Sequence, residues 1–444
     1  MRWAQVKAQY LNAENFMREF NLFMPKTSGS GVDGMTADAF GQTLSEMANV
    51  MERKIDERTY KFTQYRERLI SKGAGKNPRI ISVATQRDRL LLRVLNKYLR
   101  DKFFEDVQGK SIITAVVREI TEVLESSHYP YYFRTDVSNF YPSVRHSVLT
   151  KILRRRIHSA RVLDLLLQAV STPTAPSGTR RPPPSRQGIP QGLSISNTLA
   201  HVYMSSLDRK IGARSGIRYF RYVDDILIFC EDPAEIRSEL EHQLEAMGLT
   251  MNVGKTHSGA TTDTIEFLGY RWETAGKTVV TVRRSSVRRL ETAMARLFSE
   301  FKKGKISQEV LLAKANLRIT GCVSDGKRYG WLFFFSEISD LSLLYRLDWL
   351  VDRFASRNHL IDAKFKRFVR AYHEIHYNSI ERYSTNSYVP AYGTNIDLED
   401  MKVFIQQFGS EETSGLTGAE VRTLYKRLLS LELRTLEKDL QSFS

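Results

Sequence analysis

Two adjacent aspartates, Asp224 and Asp225, stand inside the apolar run FRYVDDILIF, flanked by residues that favour strands. Carboxylates that are crowded together or withdrawn from water repel one another and lose hydration, so a pair at a hairpin turn needs a cation. A hard divalent metal with oxygen ligands answers that need. A third carboxylate, Asp136, ends the strand-like run in YYFRTDVSNFYPSV; if the two strands are neighbours, all three converge. Two ions about 3.5–4 Å apart on such a set activate an attacking hydroxyl and stabilise a leaving oxygen, the chemistry of phosphoryl transfer. A double aspartate alone is also a common polar β-turn, and spacing does not choose between the two.

The pattern around these residues predicts the elements that hold them. IRYFRYVDDILIFCED reads as two strands meeting at the aspartates, a hairpin. RERLISKGAGKNPRIISVAT predicts another, with basic residues at its tip. The Pro-rich TPTAPSGTRRPPPSRQGIPQG is a loop stiffened by Pro182, Pro183 and Pro184 that leads into a helix over LSISNTLAHVYMSSLDRKI. Helices are expected behind SGSGVDGM, with Thr36 and Asp38 as candidate caps, over DRLLLRVLNKYLRDKFF and over PAEIRSELEHQLEAMGL; a strand pair is expected around IEFLGYRW. From about Val282 the pattern is almost wholly helical. There Val287, Leu290, Met294, Leu297 and Phe301 form one stripe, with Arg284, Arg288 and Arg296 elsewhere, and a Thr417 to Glu420 capping box opens the last helix.

Composition bounds the partners. Of 444 residues 66 are Lys or Arg and 50 Asp or Glu, a net charge of +16, which calls for a polyanion: nucleic acid, or by charge alone an anionic membrane surface. Arg271 to Thr320 holds 12 basic and 4 acidic residues, half of that net charge. A solvated helix face is the plain alternative to a nucleic-acid face there. The N-terminal stretch lacks the apolar core of a signal peptide and no run nears the roughly 20 apolar residues that span a bilayer, so a cytoplasmic protein is expected. With only Cys230 and Cys322 there is no disulfide framework and no Cys-based zinc site. His373 and His376 in YHEIHYN lack HExxH spacing and read as ordinary helix histidines.

YVDD on a hairpin, preceded by the Asp136 strand end and by GIPQGLSISNTLAHVYM, resembles reverse transcriptases in the order of their palm motifs, from roughly Ser28 to Tyr270. The resemblance implies an α+β right-hand polymerase: fingers and N-terminal region over 1–130, a palm with an antiparallel sheet over 131–281, a helical thumb over 282–335 and a helical C-terminal extension over 336–444. It implies that Asp136, Asp224 and Asp225 are catalytic and hold two Mg2+ ions, or Mn2+, with the Val137 carbonyl as a backbone ligand. Tyr141 takes the place of the side chain that excludes a 2′-OH, with Phe140 as the competing assignment. Gln191 and Gly192 resemble the loop under the nascent base pair. Arg79 resembles the triphosphate-binding residue of the fingers, assisted by Lys76 unless that lysine is merely solvated. Lys255 resembles the cation near the leaving pyrophosphate, and Phe267, Leu268, Gly269 and Tyr270 resemble the primer grip. Arg284, Arg288 and Arg296 fall where the thumb grips a duplex.

Within the family, GSGVDGM resembles a motif of group II intron and related bacterial enzymes, while QGLSISNTLAHVYM and GWLFFFSEISDLSLLYRLDWL look most like defence-associated and abortive-infection reverse transcriptases. Neither an RNase H domain nor the Cys and His clusters of an intron endonuclease are recognisable. The implied activity is RNA-directed DNA synthesis in anti-phage defence. The implied partners are an RNA template in a dedicated non-coding RNA, a DNA product, dNTPs, and a homo-oligomer or partner protein, with no membrane. The alternatives are template-independent or protein-primed synthesis, a retron-type enzyme, and a non-catalytic RNA-binding protein of polymerase shape.

Overall fold

The computed structural model describes residues 2–23, 29–71, 77–107, 113–179, 182–377, 388–393, 396–409 and 413–440. The chain divides into two units, Met1–Ser111 with Tyr129–Gly259, and Ile112–His128 with Ala260–Ser444.

In the first unit the strands are β1 (Tyr65–Ile70), β2 (Arg79–Val83), β3 (Tyr131–Asp136), β4 (Thr174–Ala175), β5 (Arg218–Tyr222), β6 (Asp225–Cys230) and β7 (His257–Ala260). Four of them form a sheet in the order β5-β6-β3-β7. The central β6, DILIFC, is buried at every position, which is why its apolar run is continuous rather than alternating. Helix Ser196–Gly212, buried nearly all round, packs against β5, and helix Pro233–Ala246 packs against β3. The latter starts where its sequence dictates: Pro233 opens it, and Asp232 Oδ1 accepts from the N–H groups of Ala234 at 2.8 Å and Glu235 at 3.3 Å.

The basic hairpin forms as expected, β1 and β2 pairing antiparallel from Arg66 and Val83 to Ile70 and Arg79, with β4 parallel on the other edge of β1. Its tip, Lys76 included, lies outside the described residues. Behind it the fully buried Asp88 accepts from Tyr60 Oη at 2.7 Å and Thr63 N at 2.8 Å, so its charge is withdrawn from water only with partners in place. Thr36 caps its helix, accepting from Ala39 N at 3.2 Å, whereas Asp38 lies within the first turn.

In the second unit β8 (Ile265–Phe267), β9 (Tyr270–Glu273) and β10 (Val279–Val282) form one sheet, so the strand pair assigned from sequence to the palm belongs with this unit. Helix Arg284–Lys302 buries Val287, Leu290, Met294 and Leu297 as expected, and also Phe298, while Phe301 in its last turn is half-buried. The region beyond is not purely helical. Cys322–Ser324, Lys327–Tyr329 and Ala391–Tyr392 make a small sheet whose strands of two or three residues are too short to show a period. The predicted capping box opens helix Gly418–Leu440: Thr417 N–H donates to Glu420 Oε2 at 2.8 Å and Glu420 N–H to Thr417 Oγ1 at 3.4 Å. Among the described residues no helix is long and apolar enough to cross a membrane.

Candidate active site

The antiparallel register of β3 and β6 sets Asp136 directly opposite Asp225. On the other side Tyr222 pairs with Asp225, leaving Val223 and Asp224 as a two-residue turn. Val137 N–H donates to the Asp224 carbonyl at 3.1 Å, which ties that turn to the end of β3. The three aspartates therefore lie at one end of the central strands. Asn252 N–H donates to the Asp136 carbonyl and Ser138 N–H to the Thr250 carbonyl, both at 2.9 Å, so the next pairing is made by the residues on either side of Val137.

Burial and mutual repulsion dominate the electrostatics. Asp136 and Asp225 are 4% and 5% exposed. The Asp225 carboxyl is pushed up to about 7, first by burial and then by the charge of Asp224; Asp224 is raised too, by burial and by Asp136. Arg134, Lys255 and Arg79 counter this only in part. Lys255 Nζ donates to Asp136 Oδ2 at 2.5 Å, so the structure sets its ammonium on a carboxylate of the site. Asp136 Oδ1 is buried with no hydrogen-bond partner. Among the described residues no three acidic, His or Cys side chains are already gathered as a ligand cage. In chemistry the set nevertheless fits a hard divalent cation: oxygen donors only, one of them buried and unpaired, in a field that favours added positive charge.

Around the carboxylates stand groups suited to a nucleotide. Tyr141 Oη donates to Asn197 Oδ1 at 2.6 Å, in the first turn of helix Ser196–Gly212. Its hydroxyl is pushed up to about 12 by burial and by Asp224, whereas Phe140 is 2% exposed and belongs to the core. Arg79, exposed at the start of β2, acts electrostatically on both Asp224 and Tyr141. The Gln191 carbonyl accepts from Ser82 N at 2.6 Å, laying the PQG loop along β2. Gly192 has φ +97°, and a Cβ there would stand 2.6 Å from Ile81 Cγ2. Gly192→Ala is expected to cost about 1–3 kcal/mol through overpacking and backbone strain, read by urea denaturation.

One participant carries no motif. Arg221, 2% exposed in its side chain, donates from Nε and Nη2 to the two oxygens of Asp208, each at 2.6 Å, and from Nη1 to the Val223 carbonyl at 2.8 Å. Val223 has φ +56°, a conformation that costs a β-branched residue roughly 1–3 kcal/mol. The available signal was an arginine among the aromatics of the strand RYFRY, which when buried needs a partner.

In the second unit Phe267, Leu268, Gly269 and Tyr270 form the turn between β8 and β9, with Leu268 at φ +51° and Gly269 at φ +82°. All four are buried, and Tyr270 Oη donates to the Phe334 carbonyl at 2.5 Å. Arg284, Arg288 and Arg296 are exposed on helix Arg284–Lys302, Arg296 paired with Glu300 at 3.1 Å. A groove of about 570 Å³ mixes both signs of charge: Arg296, Lys314 and Arg318 pair across it with Glu300, Glu432 and Asp439, the last two from the final helix. His376 Nε2 lies 2.6 Å from the Ser336 carbonyl.

Carboxylates at the joined ends of antiparallel strands, reached by a basic hairpin and a helix-leading loop, define the palm of a right-hand polymerase, α+β in class. The family is read from the sequence: residues 70–272 match the family described as Reverse transcriptase (RNA-dependent DNA polymerase), and the chain carries a reverse transcriptase domain, that of an RNA-directed DNA polymerase. It is similar to Protein YkfC of Escherichia coli (strain K12), 24% identical over 289 residues, which are 54% of this chain and 75% of that protein. It is also similar to the Putative COX1/OXI3 intron 1 protein of Saccharomyces cerevisiae, 22% identical over 324 residues, 58% of this chain but only 38% of that one. Among solved structures, apo telomerase from Candida tropicalis truncated from its C-terminal domain shares 14% identity at a TM-score of 0.41, over 50% of this chain and 55% of that one.

Proposed function

We propose that the chain adds dNTPs to a 3′-OH opposite an RNA template, by two-metal phosphoryl transfer, in bacterial anti-phage defence with a dedicated non-coding RNA. The observation that carries the chemistry is the buried, unpaired Asp136 Oδ1 beside Asp225, whose carboxyl is pushed up to about 7. Asp136, Asp224 and Asp225, with the Val137 carbonyl, would hold magnesium, which when bound lowers the pKa of the attacking hydroxyl and neutralises charge on the phosphates. The chain's own groups do the rest. Tyr141, fixed by Asn197, sets its ring where a ribose 2′-OH would collide. Arg79 offers a guanidinium fork to the triphosphate, Gln191 and Gly192 support the base pair, and Lys255 supplies charge or a proton to the departing pyrophosphate. The Phe267 to Tyr270 turn steadies the primer, and Arg284, Arg288 and Arg296 hold duplex phosphates.

The defence role rests on the likeness of QGLSISNTLAHVYM and GWLFFFSEISDLSLLYRLDWL to defence-associated enzymes, and the RNA partner on the charge concentrated between Arg271 and Thr320. Sequencing the nucleic acid that co-purifies with the chain tests both. One discrete RNA with complementary DNA is expected. Random cellular RNA, or DNA of no template attached to the protein, contradicts the reading.

A further inference from the structure

Arg221 and Asp208 lie outside the nucleotide and metal contacts described above, yet their geometry converges on Asp224. Along β5, Tyr219 and Arg221 share one face, two residues apart, and both reach Asp208 near the end of helix Ser196–Gly212: Tyr219 Oη donates to Asp208 Oδ1 at 2.9 Å, and the Arg221 fork takes both carboxylate oxygens. With Nε and Nη2 committed, Nη1 points along the strand to the Val223 carbonyl. That carbonyl and the Asp224 N–H belong to one planar peptide, so fixing its direction fixes the direction in which the chain enters Asp224. The fixed residue is the β-branched Val223 in the left-handed region, a conformation that does not persist unless its surroundings enforce it.

We infer that Arg221, locked by Asp208, is a positioning residue that holds the Val223–Asp224 peptide in the orientation that aims the Asp224 carboxylate at a bound cation. This rests on the reading of Asp224 as a metal ligand. The same helix that carries Asp208 carries Asn197 at its start, where it orients Tyr141. A single rigid element thus sets both the residue that gates the sugar and the turn that carries the carboxylate. A buried ion pair by itself is a poor source of stability, which leaves orientation as what this one contributes.

Arg221→Lys keeps the charge but offers a point contact instead of a planar fork, and cannot engage Asp208 and the Val223 carbonyl together. In the full chain, Mn2+ binding without nucleotide, followed by electron paramagnetic resonance, is expected to weaken about tenfold, the effect usual for groups that orient metal ligands. The kcat should fall about 10–100-fold, with the KM for dNTP changed by no more than about twofold. Glycine takes positive φ without steric cost, so adding Val223→Gly to Arg221→Lys should recover at least about threefold of the lost Mn2+ affinity. Asp208→Glu, which keeps the buried charge pair but displaces the carboxylate from the Arg221 fork, should reproduce the loss if Arg221→Lys does not fold. A folded Arg221→Lys protein with wild-type Mn2+ affinity, or a loss that Val223→Gly leaves untouched, overturns the inference. Wild-type chain that binds Mn2+ but makes no DNA sinks the polymerase reading alone; wild-type chain that binds no Mn2+ sinks both.

Discussion

Asp225→Asn is expected to stabilise the metal-free protein at pH 8 while it abolishes DNA synthesis. The carboxyl sits at about 7 in the folded chain against 3.8 as the ordinary value. Between those values the folded protein holds a proton that the unfolded chain has released. Stability therefore falls as pH rises through that window and levels off above it. A shift of about three units corresponds to on the order of 4 kcal/mol at pH 8, and the amide removes it because it carries no charge. Urea denaturation should show the variant more stable than wild type at pH 8 and equal to it near pH 4. Saturating Mg2+ should raise the wild-type midpoint more at pH 8 than at pH 5.5. Synthesis should drop by about a thousandfold or more, because the proposed metal ligation by Asp225 would take several kcal/mol of charge stabilisation with it. A variant less stable than wild type at pH 8 would mean that Asp225 is already well compensated.

The second large effect is on sugar discrimination. Tyr141→Ala should lower the preference for dNTP over rNTP by about 100-fold, because under the proposed assignment rejection is a steric collision that disappears with the ring. Most of the change should come from rNTP gained rather than dNTP lost. Tyr141→Phe keeps the ring but loses the bond to Asn197 that orients it, so discrimination should fall far less than in Tyr141→Ala while stability falls by about 1 kcal/mol. Phe140→Ala, by contrast, should cost about 3–5 kcal/mol from the core without altering sugar choice. Single-nucleotide incorporation with each sugar separates the two rings. If Phe140 carries the discrimination, the assignment of Tyr141 as the gate falls.

Much of this site was legible because its signals are local. The YVDD hairpin is announced by strand formers on both sides of a two-residue turn, and the Asp136 strand by its abrupt end at a turn-forming segment. What could not be read was register: that Asp136 stands opposite Asp225 depends on the pairing of strands almost ninety residues apart. Of the two adjacent aromatics, burial alone separates Phe140 from Tyr141. Arg221 stayed hidden because its significance lies in a partner on another element and in a positive φ at Val223, neither of which has a sequence period. The short strands Cys322–Ser324 and Lys327–Tyr329 were lost among helical patterns for the same reason.

Primer extension asks whether these carboxylates make DNA from RNA. Purified chain is given Mg2+, dNTPs and a DNA primer on RNA templates of two different sequences, beside folded Asp224→Asn protein. The predicted result is DNA whose sequence follows each template, dependent on the metal and lost with Asp224→Asn. Product that is the same on both templates, or that survives the Asp224→Asn substitution, would contradict it.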